Sequence, residues 1–96
     1  MPRRRNEPTE IRVKRDVFPS GAPYFSVFIG NTRIGCFMPT DDGGYTLFNA
    51  RTRIPSFEAA AREVIRRRVR RLRADALALS KAVELPLSAD AVDPHV

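Results

Sequence analysis

Seven arginines, Arg62, Arg66, Arg67, Arg68, Arg70, Arg71 and Arg73, stand within twelve residues against a single acid, Glu63. The guanidinium is a planar fork of N–H donors that fits phosphate and carboxylate oxygens two at a time. On a helix advancing about 100° per residue, Arg62, Arg66, Arg70 and Arg73 share a stripe roughly 80° wide. Arg67 and Arg71 run along the other flank. Arg68 turns toward the apolar side, where it must snorkel outward or pair with Asp75. Successive arginines of the stripe lie about 5–6 Å apart, close to the phosphate spacing along a nucleic-acid strand. Like charges so placed cost about 0.2–0.5 kcal/mol per pair, and only Glu63 intervenes to relieve them. The pattern predicts a polyanion-binding face, with nucleic acid as the first expectation. An acidic protein partner, a plain solvated face and an anionic membrane surface are the competing readings. The last needs an apolar face not already committed to a core.

This cluster carries the whole excess charge. The chain of 96 residues has a net charge of +6, and outside Arg62–Arg73 ten basic residues balance ten acidic ones. Arg3, Arg4 and Arg5 form a smaller basic arm of the kind that enters a DNA minor groove. Tyr24, Phe25, Phe28, Phe37, Tyr45 and Phe48 could stack on bases if a strand face were open, although strand aromatics usually pack in cores. Asp41-Asp42-Gly43-Gly44 lacks the further spaced carboxylates of a calcium loop and reads as a turn. His95 has no partner close in sequence, and Cys36 beside Phe37 reads as a small core residue. No nucleophile–base pair, metal-ligand cluster or phosphate-cradling glycine loop is evident, so the expectation is a non-enzymatic protein without cofactor or metal.

One cysteine allows no intrachain disulfide, and no apolar run approaches the ~20 residues that span a bilayer. With no leader-like opening, these features predict a cytoplasmic protein without membrane association. Fifteen of the seventeen basic residues are arginine, whose codons are GC-rich, which points to a bacterial or phage source.

The elements that must position the arginines follow from periodicity. Residues 1–9 read as a flexible basic arm. Ile11, Val13 and Val17 alternate with Arg12, Lys14 and Asp16 in a half-buried strand. Tyr24–Ile29 and Arg33–Met38 form a hairpin about Gly30-Asn31, and Tyr45–Ala50 continues the meander after the turn at Pro39–Gly44. Ser56 is the N-cap of a helix whose apolar positions recur at three and four until Pro86 stops them. Residues 86–96 read as a disordered tail. The prediction is one α+β domain over residues 10–85, a three- or four-stranded antiparallel β-meander followed by one long amphipathic C-terminal helix packed on the sheet.

Such a helix would be about 42 Å long, whereas six- or seven-residue strands span only about 20–23 Å. Its second half nevertheless keeps an apolar seam of Leu72, Ala76, Leu79 and Val83. Either a second copy covers the seam in a homodimer, the first expectation, or the helix breaks near Ala74-Asp75 and folds back.

Across Tyr24–Arg71 the order of elements resembles the small amino-terminal DNA-binding domains of phage and transposon integrases. It is similar also to the DNA-binding domain of plant ethylene-response factors. The resemblance lies in element order and in no specific motif. It implies a sheet that reads the major groove, which would engage Arg33, Arg51 and Arg53. The arginine-rich helix implies instead a grip on phosphates by Arg62, Arg66, Arg67, Arg70, Arg71 and Arg73, helped by the arm. The combined expectation is a nucleic-acid-binding protein with duplex DNA slightly preferred. The alternative is a phage or bacterial accessory or inhibitor-type module that docks its basic helix on an acidic protein.

Overall fold

A computed structural model describes residues 10–48, 51–71 and 76–88, with the backbone alone for 76–78. Strands β1 (Ile11–Val17), β2 (Pro23–Ile29), β3 (Thr32–Pro39) and β4 (Tyr45–Leu47) form an antiparallel sheet in chain order. Helices α1 (Phe57–Arg71) and α2 (Ala76–Ala82) follow. The expected α+β arrangement of a meander and a C-terminal helix is the one found.

Alternation decides the faces. Register pairs Ile11 with Ile29, Val13 with Val27, Phe25 with Phe37 and Phe37 with Leu47. These residues point to the helical side, and Ile11, Phe25, Val27, Phe37 and Leu47 are buried there. The β2–β3 hairpin closes through Gly30-Asn31, with Gly30 at a φ of 62° that a side chain would disfavour. Between Val27 and Phe28 the β2–β3 register shifts by one residue. Ile34 is the extra residue and is buried, while Arg33 comes opposite Phe28 on the outer face. Without this bulge, plain alternation from Phe37 through Gly35 would turn Arg33 toward the core. Bulges re-aim side chains in this way.

Ser56 caps α1, its Oγ accepting from the Ala59 N–H at 2.9 Å. One turn in, the Phe57 ring lies edge-on to Phe25, Phe37 and Tyr45, with centroids 5.2, 5.3 and 5.8 Å away. Ala60, Ala61, Val64 and Ile65 continue the buried stripe. At Gly35 the helix comes so close that a β-carbon would sit 2.9 Å from Val64 Cγ1. Glycine is needed here for room.

The single long helix of the sequence reading is two helices. α1 has 15 residues, a length of about 22 Å, which matches the sheet beneath it. α2 packs against α1, and the expected break at Ala74-Asp75 lies between the two, outside the described residues. Val83 is buried in the chain's own core and Leu79 packs against it. These two seam residues are therefore spent within the chain, as the fold-back alternative requires. Leu72 lies outside the described residues, as does the side chain of Ala76.

Residues 86–88, expected in the tail, are tied to the free edge of β1. The Ile11 N–H donates to Pro86 O, and the Ser88 N–H donates to Ile11 O, both at 2.7 Å. Leu87 thus bridges Ile11 in parallel and packs against the core. At the opposite edge Ile54 bridges Tyr45.

Candidate nucleic-acid interface

Folding sorts the arginines into three groups. Arg62 is structural. Its side chain is only 19% exposed, bound to Glu58 at 2.5 Å. It also donates through Nη1 to the carbonyls of Val83 and, at 2.7 Å, Leu85. Those carbonyls lie just past the end of α2 at Ala82, so Arg62 ties the segment that follows α2 onto α1. The sequence placed it in the phosphate-gripping stripe; its donors are committed elsewhere.

Arg66 and Arg70 form the second group. They lie on the outer stripe and share Glu63, Arg66 at 3.4 Å and Arg70 at 3.0 Å. Both are exposed, and these ion pairs are weak enough to exchange. Arg73, Arg3, Arg4 and Arg5 lie outside the described residues. Arg53 is paired with Asp42 at 2.8 Å, whereas Arg51 is exposed with no ion pair among the described residues.

The third group is brought together. Arg67, Arg68 and Arg71 line a groove with Arg33, on a wall of Ile34, Gly35, Cys36, Leu47, Val64 and Phe48. Its volume is about 360 Å³. β4 has only three residues and pairs with β3 at Phe37–Pro39, so the Thr32–Cys36 length of β3 has no partner strand on that side among the described residues. The last turns of α1 overhang this open edge. Relative to Phe57, Arg67 and Arg71 stand on the same flank as Ala60 and Val64, and Arg68 falls in the middle of the buried stripe. Where the sheet would call for apolar residues, it has run out and arginines take their place.

No acid lines the groove, and Arg67, Arg68 and Arg71 have no ion pair among the described residues. Their mutual repulsion is offset in part by the α1 C-terminus, whose dipole favours cations by about 0.3–1 kcal/mol each. Arg33 is oriented by its Nε, which donates to Ser26 Oγ at 3.1 Å. The strand aromatics divide by face. Phe25, Phe37 and Tyr45 are core; Tyr24 stacks on Phe18 at 4.4 Å. Phe48 alone among the described aromatics is largely exposed, at 57%, and it stands in the groove wall.

A second basic hollow lies across the sheet, lined by Arg12, Lys14, Arg15 and Phe28. Arg12, Phe28 and Arg33 form one cross-strand row, so Arg33 stands between the groove and this outer face. The sequence reading named neither Arg12 nor Lys14 for a site, although their i, i+2 spacing opposite Ile11 and Val13 marked them as outward. It turned Arg68 toward the apolar side, to snorkel outward or pair with Asp75, and did not count it in the site; a cation on the sheet-facing side was the signal.

Among the described residues no cluster of His, Cys, Asp and Glu is placed to hold a metal ion. No described helix is long and apolar enough to cross a membrane. Compared with protein-family models, curated proteins and solved structures, the chain matches none.

Proposed function

We propose that the protein is a non-enzymatic nucleic-acid-binding module, acting in the cytoplasm, that holds a phosphate backbone in the groove between β3 and the end of α1. The observation that carries this reading is the convergence of Arg33, Arg67, Arg68 and Arg71, from two elements, on a hollow with no acid among the described residues that line it. A solvated helix face would not need arginines on its sheet-facing side. Guanidiniums gathered around a concave surface suit an anion that presents oxygens in several directions, as phosphodiesters do. Arg66 and Arg70 extend the positive field outward once Glu63 yields them. Contacts of this kind position a backbone without reading sequence.

The test is fluorescence anisotropy with labelled generic nucleic acids at low and near-physiological salt. The paired variants are Arg67→Gln/Arg71→Gln and Arg66→Gln/Arg70→Gln. The groove pair should lose at least about tenfold in affinity and reduce the magnitude of the salt slope by about 1–2, since each phosphate contact contributes roughly 0.7–0.9. The outer pair should lose less. A larger loss in the outer pair would place the contact on the outer stripe, equal losses would show that the groove is not preferred, and no binding at low salt would dismiss nucleic acid altogether.

A further inference from the structure

We infer that the groove takes a single strand, with Phe48 as the platform on which one base stacks. This rests on the nucleic-acid reading above and departs from the duplex expected of an arginine row alone. An open row on a convex helix could follow one strand of a duplex. The free arginines instead face into a hollow closed on one side by β3 and on the other by α1. A duplex is about 20 Å across and cannot enter a hollow of about 360 Å³, whereas a nucleotide or two can.

Phe48 supplies the second observation. It is one of two large apolar side chains exposed among the described residues, the other being Val17. A ring left 57% open to water beside four guanidiniums gains nothing for the core. Every base has a π-face, so an exposed ring binds single strands without regard to sequence, while arginines hold the flanking phosphates. In a duplex the base faces are already stacked and Phe48 would have nothing to meet. Beyond the groove, Arg33 leads to Phe28 and Arg12 in one row across the outer sheet face. Strands lie about 4.8 Å apart, so this row offers the emerging strand a second aromatic and a further cation over about 10 Å.

The experiment compares the full chain with labelled oligothymidylate, oligouridylate and a duplex of equal length, at low salt, by anisotropy. Phe48→Leu keeps an apolar residue at an exposed site, and Phe48→Tyr keeps the ring. The expected result is tighter binding of at least one single strand than of the duplex. Phe48→Leu should weaken single-strand binding by about tenfold, with Phe48→Tyr near wild type, and leave duplex binding unchanged. Circular dichroism melts of both variants confirm that the fold is kept. Duplex bound as tightly as both single strands, or single-strand binding indifferent to Phe48→Leu, overturns the single-strand inference while the nucleic-acid reading stands. Absence of binding to all three probes overturns both.

Discussion

Replacing Arg62 by alanine separates architecture from binding in one residue. In the folded chain Arg62 holds the segment after α2 through the carbonyls of Val83 and Leu85 and is itself braced by Glu58. The substitution leaves both carbonyls without a donor at a part-buried site. Hydrogen bonds from a charged donor contribute about 1.5–3 kcal/mol. The half-exposed pair with Glu58 adds at most about 1 kcal/mol. Repair of the exposed part by water returns some of this, so the net loss should be about 2–3 kcal/mol. For a domain of this size each kcal/mol lowers Tm by about 4–8 °C, which gives a fall of roughly 10–20 °C. Thermal and urea unfolding measure it, with Arg62→Lys expected to lie between wild type and alanine. Amide exchange should show α2 and residues 83–88 opening first, because they lose their anchor to α1. A loss below about 0.5 kcal/mol would refute the locking role and return Arg62 to the solvent-facing stripe. So would a variant that stays folded while nucleic-acid affinity collapses.

Gly35→Ala puts a methyl group 2.9 Å from Val64 Cγ1, so α1 must shift from β3 at a cost of about 1–3 kcal/mol; in urea unfolding Val64→Ala should recover part of that loss, and a stable single mutant would show that the helix has slack. Asp42 is held at a pKa of about 2, below the usual 3.8, by hydrogen bonds from Thr40 Oγ1, Arg53 Nε and the Gly44 N–H. A depressed carboxylate stabilises the fold fully above its unfolded pKa of about 4 and ceases to do so as pH falls toward about 2. Urea midpoints should therefore separate wild type from Asp42→Asn above about pH 4, and the separation should shrink toward pH 2; a constant offset across that window would contradict the assignment.

The sheet was legible because its signals are local. Alternation in Ile11–Val17, the Gly30-Asn31 turn and the aromatic run Tyr24–Phe28 depend on neighbours a few residues away, and β1, β2 and β3 lie within a residue of expectation. β4 ends at Leu47, short of the expected Ala50, with residues 49 and 50 outside the described ones. The Ser56 cap and the apolar spacing from Phe57 were equally local. What covers an apolar seam is not local. Leu79 and Val83 carry the same spacing whether a second copy or the chain's own core receives them, and the decision rests on the length of sheet available to α1. The strand-like pairing of residues 86–88 was invisible for another reason: it is made by the backbone groups of Ile11, Pro86 and Ser88, which leave no side-chain signature. The arginines were legible as a cluster and not as individuals. Apart from Glu58 four residues before it, nothing in the sequence distinguishes Arg62, which binds the carbonyls of Val83 and Leu85, from Arg66 four residues on, and the bulge that aims Arg33 outward has no marker beyond the neighbouring Gly35.

Arg68 shows why the groove is more than a by-product of an arginine-rich helix. It lies eleven residues after Phe57, three turns on, within about 20° of the centre of the buried stripe. A leucine there, folded over the edge of β3, would bury apolar surface worth up to about 1.5–3 kcal/mol. The dipole at the end of α1 favours a cation by about 0.3–1 kcal/mol, but any last-turn position would collect that benefit, and Arg70 on the outer side already does. Dipole and solubility therefore account for arginines near Arg71 without accounting for three of them on the sheet side of the helix. Exposed Phe48 repeats the same departure from what stability alone would choose, a ring in water within reach of a core that could have taken it. Two such departures on the walls of one hollow, with Arg33 held at its rim on the outer sheet face, are better explained by a ligand that needs both cation and ring than by the requirements of the fold.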